Sequence, residues 1–154
     1  MVRMETERLA RTFDGSGSGI LPDRSILKLT EAGFIRPSGA YADGQVQPAS
    51  LDLRLGPVAY RVRASFLPGS QATVAERIDA LRLHSIDLTG GAVLETGCVY
   101  IVPLMESLSL PADISATANP KSSTGRLDVF TRVIADRSRG FDQEILPVLA
   151  RVVS

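Results

Sequence analysis

The chain of 154 residues has no tryptophan, one cysteine, one histidine and no net charge, its 17 basic residues balancing 17 acidic ones. Each scarcity removes a class of function. Cys98 has no second cysteine to pair with, so no intramolecular disulfide can form. That fits a reducing cytosol, although in the context Gly97-Cys98-Val99 a chance core residue would fit as well. One histidine and one cysteine cannot supply the three or four soft ligands of a zinc site. A Ser-His-Asp arrangement would have to use His84, whose surroundings "LRLHSIDL" alternate like a strand; there it reads as a surface or packed residue. With balanced charge there is no one-signed field to draw nucleic acid or an anionic membrane.

Long apolar runs are missing too, and none approaches a membrane span. The opening "MVRMETERLARTFDGSGSG" mixes bases with acids and has no apolar core, so a secretory signal is not expected. No lysine-bearing phosphate loop or dinucleotide glycine pattern occurs, and "GSGSG" opens no strand–helix phosphate unit. The expectation is a cytoplasmic protein that binds neither nucleic acid nor membrane.

What is present is a series of short extended segments. The length fits one domain with a real core. Residues 1–19 read as a flexible arm, polar and closing on "GSGSG". "LPDRSILKLTEAGFIRP" predicts a short helix, with Asp23 as cap, Ile26, Leu27 and Leu29 as its apolar side, and Gly33 with Pro37 at its end. "ASLDLRLG" then sets Leu51, Leu53 and Leu55 against Asp52 and Arg54, the period of a half-buried strand. "AYRVRASFL", "SIDLT", "AVLETGCVYIVPL" and "ESLSLPADISATANP" follow as strands, with one or two helical turns allowed in residues 70–82. Such spacing predicts a mainly β fold, a sandwich or barrel of short strands with a short helix near its start.

One stretch is out of character. "NPKSSTGRLD", residues 119–128, gathers Lys121, Ser122, Ser123, Thr124, Gly125 and Arg126 at the end of a strand. Lysine and arginine make charge-assisted bonds to phosphate, hydroxyls and backbone N–H groups line the same oxygens, and glycine lets a ligand approach the backbone. By composition alone two readings stay open, a phosphate cradle and a polar turn between strands.

"QPASLDLRLG" (47–56) and "NPKSSTGRLDVFTRVIADRSRGFD" (119–142), in this order, resemble the dCTP deaminase family, which shares its fold with the trimeric dUTPases. "LPDRSILKLTEAGFIRP" is similar to that family's opening helix, and "ESLSLPADISA" to the segment before its nucleotide loop. The likeness covers roughly residues 19–142, and implies a dUTPase-like domain over residues 20–154. It also implies the conversion of dCTP and water to dUTP and ammonia, in pyrimidine deoxynucleotide synthesis, by a homotrimer with shared sites. The reaction needs no zinc. A glutamate takes the proton of the attacking water, and Mg2+ enters through the triphosphate oxygens. The absence of the His-x-Glu and Pro-Cys-x-x-Cys strings of the zinc deaminases is then no objection.

Carried over by position, Lys121 stands where the family usually has an arginine at the phosphates, keeping the charge and losing the bidentate geometry. Ser122 matches a serine near the water and triphosphate, and Arg126 an arginine that helps hold the water. Asp142 matches an aspartate along the sugar and base, while Ser123, Thr124 and Gly125 complete the substrate loop. Asp52 and Arg54 are expected on the outer face of their strand, facing a neighbouring subunit.

One element of the pattern is missing. The family's glutamate follows the Asp142 position by about ten residues, after a Gly-aromatic-x-Gly turn and along an apolar strand. "FDQEILPVLARVVS" has no such turn, and its one glutamate, Glu144, comes too early. A truncated or frame-shifted member is expected, slow or inactive as it stands. The competing reading is a divergent, complete chain in which "EILPVLARVV" supplies a substitute strand. Two other functions stay in view: a dUTP diphosphatase, which the doubled serine argues against, and a nucleotide-binding fragment without catalysis.

Overall fold

The computed structural model describes residues 2–8, 19–66, 72–111, 113–134 and 147–152, with Met4 as the one described side chain of 2–8 and the backbone alone for 147–152. Its strands form two sheets and a ribbon. In the first sheet the order is β10 (Ile114–Pro120), β1 (Val2–Arg8), β5 (Ser50–Leu53) and β4 (Val46–Gln47), with β2 (Gly19–Ile20) also pairing with β1. The second runs β11 (Val129–Val133), β12 (Pro147–Val152), β8 (Val99–Pro103), β6 (Val58–Val62) and β7 (Arg82–Asp87). A ribbon pairs β3 (Ile35–Pro37) with β9 (Glu106–Leu108). All described pairings are antiparallel. The expected mainly β architecture of short strands is what the chain forms.

The segment expected as an arm holds a central strand. Val2 to Arg8 pairs residue by residue with β10, from Val2 opposite Pro120 to Arg8 opposite Ile114, while Val2 to Met4 also pairs with β5. The cause is legible in "VRMETER", where Val2, Met4 and Thr6 alternate with charged residues, a strand period that the glycine-rich end of the segment obscured. Met4 is buried in the core. "GSGSG" up to Ser18 lies outside the described residues.

The cap of helix α1 (Asp23–Glu31) lies one residue earlier than expected. Pro22 is the N-cap, and Asp23 is the first helical residue, its carboxylate accepting from Arg24 N at 2.6 Å. Ile26 and Leu29, three apart, face the core, whereas Leu27 is turned about 100° from Ile26 and is exposed. The end is as expected: Gly33 adopts φ +77°, Gly33 N donates to Thr30 O and Phe34 N to Leu29 O, a Schellman closure. The permitted helical turns in 70–82 are α2 (Val74–Leu81), opened by a capping box between Thr73 and Glu76.

Two apolar clusters organise the interior. One joins Met4, Leu51 and Leu53 of the first sheet to Ile26, Leu29, Ile35, Leu104, Leu108 and Ile114. The other centres on Val62, Ile78, Ile101 and Ile134. Cys98 belongs to neither; Arg61 Nη2 donates to its Sγ at 2.8 Å, beside Glu95. His84, on β7, is exposed.

Strand β5 departs most from its sequence reading. All four of its residues are buried, so the alternation of leucines with Asp52 does not mark a wet face. Asp52 is 1% exposed, and Arg54 turns inward to Glu106, which is fully buried. The expected outward Asp52/Arg54 face is therefore corrected to an internal polar frame. The reason is that partners exist inside: a buried charge is tolerated only where another charge and hydrogen bonds meet it.

Candidate functional site

That frame starts at Glu106. Its Oε1 accepts from Gln45 Nε2 and from Arg54 Nε, both at 2.8 Å, and its Oε2 from the Arg54 backbone N–H at 2.8 Å. Gln45 Nε2 also donates to Asp52 O, and Asp52 N donates back to Gln45 O. Arg54 Nη1 reaches Ala40 O at 2.9 Å. At the end of the same motif, Gly56 N donates to Pro103 O at 2.6 Å, and a Cβ on Gly56 would lie 2.8 Å from that oxygen. The glycine that closes "LDLRLG" is thus required by the close approach of two backbones.

From Asp52 the frame passes to the donor cluster. Lys121 Nζ meets Asp52 Oδ2 at 2.5 Å, their side chains 31% and 2% exposed. Lys121 is the N-cap of α3 (Ser122–Gly125), a single turn that follows β10 and precedes β11. Thr124 N and Gly125 N donate to Lys121 O, Arg126 N to Ser122 O, Leu127 N to Thr124 O and Asp128 N to Gly125 O. Asp128 then takes φ +54°, a left-handed conformation that aspartate tolerates better than most residues, and the chain turns into β11.

The turn brings six of the expected site residues, Lys121 to Arg126, onto one exposed knuckle at the end of β10. Ser122, Ser123, Gly125 and Arg126 are exposed, and Lys121 and Thr124 half-buried. Among the described residues no hydrogen bond or ion pair holds the side chains of Ser122, Ser123 or Arg126. At Gly125 a Cβ would meet nothing within 4 Å. The serine hydroxyls and a guanidinium facing solvent are a set that takes up anionic oxygens. Asp142 and Glu144 lie outside the described residues.

The substitute strand of the competing reading of "EILPVLARVV" has a counterpart in β12, inserted between β11 and β8. Its residues, "PVLARV", include no carboxylate. The sequence reading missed the buried partners Gln45 and Glu106 and the link from Asp52 to Lys121. Glu106, set among the apolar residues of "VPLMESLSL", was a signal, but nothing local pairs it with Gln45 or Arg54 so far away along the chain.

Residues 17–146 match the model of the 2'-deoxycytidine 5'-triphosphate deaminase (DCD) N-terminal domain. The chain belongs to this family. It is 30% identical over 136 residues to a dCTP deaminase, dUMP-forming, of a Nocardioides species, covering 88% of this chain and 70% of that protein. It is also 30% identical over 124 residues to a dCTP deaminase of Actinobacillus succinogenes, covering 76% of this chain and 64% of the relative. The crystal structure of 2'-deoxycytidine 5'-triphosphate deaminase from Agrobacterium tumefaciens superimposes with a TM-score of 0.81 at 54% identity, covering 88% of this chain. The chain spans only 43% of that one. Against the deaminase domain, the early motif reads as the internal frame and the late motif as the exposed turn, and the two meet at Asp52 and Lys121. Among the described residues no helix is long and apolar enough to cross a membrane.

Proposed function

We propose that this chain is a deoxynucleotide-binding domain of the dCTP deaminase type, with the phosphates of dCTP received at the turn that follows Lys121, residues 122–126. The observation that carries the reading is the exposure of Ser122, Ser123, Gly125 and Arg126 on one turn, with half-buried Thr124 among them, in the family's order. Arg126 and Ser122 orient the water that attacks C4 of cytosine, a carboxylate takes its proton, and ammonia leaves. In this reading Asp142 is the residue assigned to the sugar and base. Among the described residues no three His, Cys, Asp or Glu side chains are arranged to hold a metal ion. In this reading magnesium arrives on the triphosphate, with phosphate and water oxygens as its ligands. Assembly as a homotrimer in the cytoplasm belongs to the same reading.

The base is the weak point of this chemistry. General-base assistance is worth roughly 10²–10⁴-fold in rate, and β12 offers no carboxylate. The 154-residue chain is expected to bind dCTP and to deaminate it slowly or not at all. Calorimetric titration tests the binding: Arg126→Ala should weaken dCTP by roughly 1.5–3 kcal/mol if a charge-assisted bond is lost. Unchanged affinity in a folded variant sinks the assignment. Rapid ammonia release that Glu144→Gln abolishes would overturn the expectation of slow turnover and make Glu144 the base.

A second reading follows from a relative's name. The Nocardioides protein is a dUMP-forming deaminase, and in that reading the same turn also supports hydrolysis of dUTP. Product analysis separates the two, since dUTP with ammonia marks deamination alone and dUMP with pyrophosphate marks both steps.

A further inference from the structure

The position of Lys121 conflicts with its expected role at the phosphates. Its ammonium lies 2.5 Å from Asp52 Oδ2, on a carboxylate whose side chain is 2% exposed. Asp52 itself is anchored by its surroundings. It lies between Leu51 and Leu53, both fully buried, and its backbone is bonded in both directions to Gln45. Moving the ammonium to a phosphate would take a counter-charge away from a buried carboxylate, a change whose cost can exceed the new attraction. Meanwhile the carbonyl of Lys121 is the acceptor for Thr124 N and Gly125 N, so the place of Lys121 fixes the start of the turn.

We infer that Asp52 is a positioning residue. It holds Lys121 as a strut, so that the turn from Ser122 to Arg126 is presented to the nucleotide in one register while Lys121 does not ligate phosphate. This rests on the proposed nucleotide site, and it reverses the sign expected of one substitution. If Lys121 were a phosphate ligand, Asp52→Asn would remove a competing negative charge and tighten dCTP. With Lys121 as a strut, Asp52→Asn loosens the turn and weakens dCTP.

The full-length chain is tested as wild type, Asp52→Asn, Lys121→Met, Lys121→Arg and the Asp52→Asn/Lys121→Met double variant. Without ligand, hydrogen–deuterium exchange should quicken at the amides of residues 124–128 alike in Asp52→Asn, Lys121→Met and the double variant. The rest of β5 and β10 stays protected, and Lys121→Arg, which keeps the ion pair, behaves as wild type. Titrated with dCTP, the two single variants and the double should lose affinity by the same factor, about fivefold or more, because residues acting as one unit are not additive. Binding of dCMP should fall less than binding of dCTP.

Tighter dCTP binding by Asp52→Asn, or losses that add in the double variant, overturns the strut. Exchange in residues 124–128 that stays at the wild-type rate overturns it as well. If the wild type binds no dCTP, the nucleotide assignment fails, and the exchange measurement alone decides the strut. Should Asp52→Asn not fold, Lys121→Met, at a partly exposed position, carries both readouts.

Discussion

In the stretch from Gln45 to Gly56, Gln45, Asp52 and Arg54 turn inward to polar partners; in the stretch from Ser122 to Asp128, Ser122, Ser123 and Arg126 face outward on a turn shaped by backbone bonds. Both stretches carry the family resemblance, yet the first spends its charges on the fold and the second leaves them available. A pattern shared across a family therefore mixes two kinds of constraint. Burial separates them, and the ion pair from Asp52 to Lys121 joins them.

The sharpest way to break this contrast is at Glu106. Glu106→Ala removes the acceptor of three buried or half-buried donors and strands the Arg54 guanidinium. We expect a loss of about 3–5 kcal/mol, the range for breaking a buried pair from one side, read as a lowered urea midpoint. A loss under about 1 kcal/mol, as at an exposed pair, would show that the frame does not hold the domain.

Gly56→Ala is next. The new Cβ would stand 2.8 Å from a backbone oxygen, which cannot swing aside as a side chain does. The expected cost is about 1–3 kcal/mol, as for overpacking, measured by the same denaturation curve. An unchanged midpoint would mean that the approach of Gly56 to Pro103 relaxes freely.

On the other side of the contrast, Gly125→Ala and Arg126→Ala should leave stability within about 0.5 kcal/mol of wild type or, for the alanine at 125, raise it by a few tenths. Space is open at Gly125, and its φ lies outside the left-handed range. Both should nonetheless weaken dCTP in titration. A turn variant that loses stability and keeps its affinity would invert the comparison.

The smallest effect lies in neither stretch and serves as a control. The backbone N–H and hydroxyl of Thr73 hold the exposed Glu76 carboxylate below its ordinary 4.5. A lowered folded-state value stabilises fully above pH 4.5 and loses that contribution as pH falls through the folded value. Between neutral pH and that window α2 should be unaffected, and below it should loosen. Glu76→Gln should flatten this dependence in the exchange rates of residues 74–77.

These contrasts also mark how far the sequence could be read. Segments with a clean period were legible: Ile26 and Leu29 on α1, the Gly33 stop, the short strands, and the polar turn with its donors. Charge partners were not. Asp52 and Arg54 alternate with leucines as surface residues would, and only the fold places Gln45, Glu106 and Lys121 where they make burial tolerable. Strand β1 failed for another reason: its period was readable, but the glycines and serines after it dominated the composition of the window.

The pairing of β1 has a practical consequence at the bench. Val2 lies opposite Pro120, one residue before the turn that starts at Lys121. A segment fused ahead of β1 would therefore start close to the candidate turn. A histidine tag left there brings imidazoles and its own affinity for metals beside the place assigned to a magnesium-laden triphosphate. Titrations on tagged and tag-free protein would then differ for reasons unrelated to Arg126. The strand also cannot complete its sheet until Ile114–Pro120 has been synthesised, so the earliest part of the chain waits longest for its partner, a long-range closure of the kind that slows folding.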